Sequence, residues 1–234
     1  MAKVKNTQEA KGSTTVESVE SGLSKFENYI ENNQKKITYI VGGIIVIVLA
    51  IFGFNKFILQ PKENEAYEQM FMAEYYFKVD SLNYALNGDG TNPGFYDIIN
   101  DYKWTSAKNL AHYYVGMILM KQGQFEDAID ELKKFKAKDQ ILGAMAKGAV
   151  GDAYVELGDL DHALEYYLSA ANKRPNFFVA PIFLSKAAWV YEQQGDYQKA
   201  IDTYTKIKTD HFRSFESREA DKNIAYLEAK LNMN

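Results

Sequence analysis

The chain has 234 residues, 25% of them charged, a formal net charge of −4 and no cysteine. This composition suits a folded protein with room for one sizeable domain. It excludes disulfides, a thiol nucleophile and thiolate metal sites. The charge is uneven. Seven of the 27 basic and five of the 31 acidic side chains precede residue 60, leaving 20 against 26, a net of −6, in the remainder. An acidic domain repels phosphate backbones, so nucleic acid is not an expected partner.

Residues 1–21 are rich in Lys, Glu, Ser, Thr and Val without periodicity and read as a disordered tail. Over 22–36, Leu23, Phe26, Tyr29 and Ile30 recur at helical spacing, with Lys25, Glu27 and Glu31 elsewhere. That pattern predicts an amphipathic juxtamembrane helix, lying on a membrane surface or docking to a membrane partner. Residues 37–54, ITYIVGGIIVIVLAIFGF, hold no charge and no proline. As a helix they span about 27 Å, close to the hydrocarbon core of a bilayer.

A transmembrane anchor is therefore expected over 37–59, built on Ile37, Ile40, Ile44, Ile45, Ile47, Leu49, Phe52 and Phe54 in contact with membrane lipid. A cleaved signal peptide fits poorly. A long polar stretch precedes the run, and bulky Phe54 at its end and Phe57 just beyond stand where small residues would be needed. Lys35 and Lys36 hug the N-terminal end, against Lys56 and Lys62 beyond the other, which favours a cytoplasmic N-terminus and an extracytoplasmic remainder. Leu59-Gln60-Pro61 is expected to end the helix, with Lys56 snorkelling to the interface.

Residues 60–234 read as one helical repeat domain. Residues 66–86 are expected to be helical, with Tyr67, Met70, Phe71, Tyr75, Tyr76, Val79 and Leu82 at core spacing. Residues 87–94, NGDGTNPG, form a loop by composition, and 95–102 a short helix. Three stereotyped segments then recur: GQFEDAIDEL from Gly123, GDLDHALEYY from Gly158 and GDYQKAIDTY from Gly195. Their alanines, Ala128, Ala163 and Ala200, stand 35 and 37 residues apart. A period near 34 with this pattern is that of the tetratricopeptide repeat, a pair of antiparallel helices. The copies fall at about 109–140, 144–175 and 181–212. The middle one is fullest, with Gly151, Tyr154, Gly158, Ala163, Tyr167, Ala170 and a closing Pro175. Gln140 and Phe212 stand where the other two would carry proline. Each pair leaves an apolar face that only the next can cover, so the fold class is all-α: one transmembrane helix followed by an α-solenoid. Residues 217–231 should form a capping helix on Ala220, Ile224, Leu227 and Leu231.

Motifs for chemistry are absent. The loop at 87–94 superficially resembles a calcium site but has Asn92 where glycine is required and Ile98 where a bidentate glutamate should be. His112, His162 and His211 make no ligand-spaced pair, and there is no phosphate loop or G-x-S-x-G. No metal, no cofactor and no catalytic residue is expected. The inner face of the solenoid remains as the candidate site. By motif register it carries Leu110, Tyr113, Met117 and Met120 in the first copy, then Met145, Gly148, Asp152 and Val155 in the second. The third contributes Ile182, Ser185, Trp189 and Glu192. Methionine and aromatics make an adaptable surface for peptide segments. A carboxylate clamp of Lys and Asn is excluded, because Tyr113, Met117, Gly148 and Asp152 hold those places.

A short tail, one anchor, a few degenerate repeats and a C-terminal cap resemble the YfgM family of ancillary SecYEG translocon subunits. The stretches FENYIENNQKKITYIVGG and SFESREADKNIAYLEAKL are similar to versions in Bacteroidota-type bacteria. The resemblance covers about residues 22–231. It implies a single-pass protein of the bacterial inner membrane with a periplasmic repeat domain. It also implies a non-enzymatic role beside the SecYEG translocon and a PpiD-like membrane-anchored chaperone, with translocating polypeptides as further partners. The alternatives are a scaffold for another envelope machine and an organelle import receptor facing the cytosol.

Overall fold

Helical periodicity and the scarcity of proline make most of this chain helical, with short turns and loops between the helices. The computed structural model describes residues 9–172 and 178–233, with side chains placed from Phe26 onward except at 28. No strand occurs among them. The chain divides into two compact units, Met1–Gln60 and Pro61–Asn234.

The first unit is a single helix, α1, Glu9–Phe54. Its 46 residues extend about 69 Å at 1.5 Å per residue. This corrects two expectations. Residues 9–21 are helical instead of disordered, and 22–36 continue straight into the apolar run instead of forming a separate helix. Extending an existing helix avoids the cost of nucleating one, so a polar segment of modest propensity follows the apolar core that starts the helix. Residues 1–8 lie outside the described residues. One π-helical turn, Asn55–Leu59, follows, and Gln60 N–H bonds to the carbonyl of Asn55, five residues back. Helix continues as α2, Gln60–Lys78, so Pro61 does not end it. Proline has no N–H to donate, and it sits just past the π-helical turn, where the backbone bonding has already shifted to a partner five residues back.

In the second unit α2 buries Ala66, Met70 and Ala73. Its partners are α3 (Leu82–Asn87), α4 (Phe95–Asp101) and α5 (Ser106–Lys121), through a core of Ala85, Phe95, Ile98, Ala111, Val115 and Ile118. The Glu63 carboxylate accepts from Ser106 N–H at 2.7 and 3.0 Å, capping α5 from another helix. Residues 66–86 are two helices, not one. The break falls at 79–81, where Asp80 takes φ 59° and then accepts from Lys121 Nζ at 2.7 Å. Tyr67, Phe71, Tyr75 and Val79, expected in the core, are instead 43–66% exposed. The small residues Ala66 and Ala73 choose the buried face, because they allow the closest helix approach.

The loop at 87–94 is held by Asp89. One carboxylate oxygen accepts from the N–H groups of Thr91 and Asn92, and the other from Tyr76 Oη at 2.6 Å and the Asn92 amide. Those bonds, the Tyr76 hydroxyl first, hold this carboxyl well below the usual range.

Three antiparallel pairs follow: α5 with α6 (Phe125–Lys134), α7 (Gln140–Glu156) with α8 (Leu160–Asn172), and α9 (Ala180–Gln193) with α10 (Tyr197–Asp210). The inner turns are alike. Gly123, Gly158 and Gly195 have φ of 75°, 77° and 77°, in the left-handed region that favours glycine. In each, the following residue's N–H reaches back to the carbonyl of Leu119, Tyr154 or Tyr191 at 2.8–2.9 Å, a Schellman closure. Asp159 and Asp196 then cap the second helices by accepting from the N–H groups of His162 and Lys199. Ala128, Ala163 and Ala200 are fully buried, and a Cβ on Gly116 or Gly151 would strike Leu132 or the Tyr167 ring. Gln140 opens α7, with Asp139 capping it. Pro175 lies outside the described residues. The last helix, α11 (Phe215–Met233), packs on α10 as α9 packs on α8. It buries Ala220 and Leu227, while Leu231 stays 42% exposed.

Candidate protein-binding cleft

The twelve positions assigned to the inner face do not form one continuous groove. On α5, Leu110 and Met120 pack against the N-terminal core, and Tyr113, Met117 and Met120 against the core between α6 and α7. Tyr113 lies 5.4 Å from the Phe135 ring, so packing occupies this part of the face. On α7, Met145 is exposed, Val155 leans on the C-terminal core and Gly148 is buried. A Cβ at Gly148 would run into the Phe183 ring, so this glycine serves the contact between successive repeats and not a ligand. On α9, Glu192 is engaged by Lys230 Nζ of α11 at 2.8 Å.

Ile182, Ser185 and Trp189 do meet in one place. With Lys186 they form one wall of an open cleft of about 560 Å³. Tyr167 and Tyr204 add aromatic surface, and Phe215, Glu216, Glu219 and Asn223 of α11 make the opposite wall. Trp189 is 41% and Phe215 69% exposed, whereas Tyr167 and Tyr204 are buried beneath. Phe215 and Glu216 also border a second, mainly apolar opening lined by Phe178, Arg213 and Ser214.

The side of the cleft toward α7 and α8 is fixed by one polar knot. Asp152 accepts from Tyr167 Oη at 2.6 Å and from Lys186 Nζ at 2.5 Å, joining α7, α8 and α9. Lys186 lies 5.5 Å from the Tyr167 ring centre. Burial and then the Asp152 hydrogen bond push the Tyr167 phenol far above its ordinary range, so it stays a donor. Burial likewise raises Tyr204. At the C-terminal end the Glu192 partnership, then Tyr226, raises Lys230.

The motif register did not reveal Lys186, Tyr204 or the α11 residues. The usable signal was that a capping helix takes the position of a next repeat's first helix, and so continues the inner face past the last recognisable copy. No cluster of three metal-ligating side chains occurs among the described residues.

In the first unit, the apolar surface of α1 is uncovered. Ile40, Ile44, Ile45, Ile47, Leu49, Phe52 and Phe54 are 41–62% exposed, and Ile37 is half-buried. The most apolar window in the helical stretch Tyr29–Lys78 has a mean hydropathy of 2.6, and none of it is buried. This helix is long and apolar enough to cross a membrane.

The sequence matches the tetratricopeptide repeat family over residues 116–177 and 149–211. A crystal structure described as nearly identical TPR-like repeats of a "putative kinesin light chain" from Podosopora anserina is similar in fold, with a TM-score of 0.55 at 11% identity. The similarity covers 74% of this chain and 89% of that one. No curated protein sequence matches. Among the described residues the chain is thus helical without strands, and it carries tetratricopeptide repeats within residues 116–211, a kind of repeat that implies a scaffold for protein–protein interaction.

Proposed function

We propose that this protein is a non-enzymatic, single-pass protein of the bacterial inner membrane. Residues 37–59 anchor it, the N-terminus is cytoplasmic and the repeat domain faces the periplasm. There it binds partner proteins at the SecYEG translocon, with a PpiD-like chaperone and polypeptides in transit as its partners. It thereby assists export.

One observation carries this reading. An uncovered apolar helix and a repeat stack with an open aromatic cleft belong to the same chain. The hydrophobic effect drives the first into lipid, and the second holds exposed Trp189 and Phe215 where a partner side chain can enter. Tethering raises the local concentration of the cleft beside a membrane machine without adding a contact. The lysine pair at 35–36 supports the orientation, and the regional resemblance to translocon ancillary subunits supports the partner.

Affinity purification of the full chain from mild detergent tests the partner. Recovery of translocon subunits or a PpiD-like chaperone is expected, and recovery of neither contradicts the assignment. Protease added to spheroplasts should cut residues 60–234; protection there contradicts the orientation.

A further inference from the structure

Resting on that reading of the cleft, we propose that its preferred occupant is an apolar protein segment bearing a lysine or arginine. The hydrocarbon of that segment lies against Trp189 and Phe215, and its cation meets Glu216 and Glu219.

The charges in the cleft do not cancel. Among the described residues Lys186 is the one cation lining it, and Asp152 neutralises it at 2.5 Å while the Tyr167 and Phe183 rings lie 5.5 and 6.0 Å away. Glu192, one turn beyond Trp189, is matched by Lys230. Glu216 and Glu219, three residues apart on one face of α11, take part in no ion pair among the described residues. Two uncompensated carboxylates therefore border an aromatic surface. The N-terminus of α11 opposes a cation with about half a unit of positive charge, and two full negative charges outweigh it. In the same cleft Trp189, the best cation–π face among side chains, is exposed to an entering ligand. Long-range attraction acts in the same sense, because residues 60–234 carry a net −6. An acidic segment would meet repulsion from the same pair and find Lys186 already engaged. The volume, about 560 Å³, admits a few side chains and not a folded domain.

The test uses the full chain in nanodiscs of zwitterionic lipid, with empty discs as the blank. The probes are fluorescent twelve-residue peptides sharing three leucines and one phenylalanine, with three further positions all arginine, all glutamine or all glutamate. Anisotropy titration should give the arginine peptide at least tenfold tighter binding than the glutamine peptide, with the advantage shrinking as salt rises. Glu216→Gln with Glu219→Gln should erase that advantage, so that the arginine and glutamine peptides bind alike; an advantage that survives the double change overturns the cation preference. Trp189→Ala should weaken both. Equal or tighter binding of the glutamine or glutamate peptide overturns the cation preference while leaving the cleft as a binding site. Binding of no peptide above the blank overturns both.

Discussion

Glycine does opposite work in the two parts of this molecule. Gly42, Gly43 and Gly53 lie in the apolar helix with nothing within 4 Å of the place a Cβ would take. Gly116, Gly148 and Gly151 lie in the repeats, where the same atom would strike Leu132, Phe183 or Tyr167. Both regions are rich in branched apolar residues, yet the first exposes them on every side and the second buries them on chosen faces. A uniformly apolar helix without neighbours asks for a lipid solvent. A helix with one small-residue face asks for another helix. The contrast separates a segment that binds a phase from segments that bind one another.

The largest way to break this contrast is to charge the first region. Ile45→Lys with Leu49→Lys places two cations near the middle of the proposed span, at about 2.5–3.5 kcal/mol each. The double variant is expected to leave the carbonate-resistant membrane pellet. A variant that stays in the pellet contradicts the anchor.

Exchanging glycines sharpens the comparison. Gly148→Ala or Gly151→Ala forces a buried ring to move and is expected to cost about 1–3 kcal/mol in urea denaturation of the detergent-solubilised chain. Gly43→Ala should cost nothing. Gly158→Ala isolates a third effect. No neighbour crowds it, but its φ of 77° makes a side chain strained, at about 1–2 kcal/mol.

The smallest effect concerns the loop at Asp89. Hydrogen bonds depress this carboxyl, so the stability it lends is complete above about pH 4, the ordinary carboxylate value, and is lost as pH falls toward the lower folded value. Asp89→Asn should lower the melting temperature slightly near neutral pH, and the gap to the unaltered chain should narrow steadily as pH falls below about 5. A gap that widens on acidification contradicts the sign.

The repeats were readable because their marks are backbone requirements. A left-handed turn demands Gly123, Gly158 and Gly195, and close helix approach demands Ala128, Ala163 and Ala200, whatever surrounds them. The buried face of α2 was only partly readable: Met70 and Tyr76 do pack in the core, but the aromatic residues of α2 outnumber its small ones and periodicity alone weighs them alike. Tyr67, Phe71 and Tyr75 are large enough to dominate the pattern, but Ala66 and Ala73 decided the packing. The cleft was half readable. Ile182, Ser185 and Trp189 follow from repeat register, but Phe215, Glu216 and Glu219 sit on a helix with no repeat motif. Gly148 was misplaced because a small residue on a first helix looks the same whether a ligand or a neighbouring ring fills the space.

Crosslinking in living cells tests the central claim most directly. A photoreactive phenylalanine analogue at Trp189, inside the cleft, is compared with one at Asp202, on α10 and away from it. Position 189 is expected to yield discrete membrane-fraction adducts with translocon subunits, a PpiD-like chaperone or exported chains, and position 202 none. No adduct from 189, or the same adducts from both positions, would contradict a cleft that holds other proteins at the membrane.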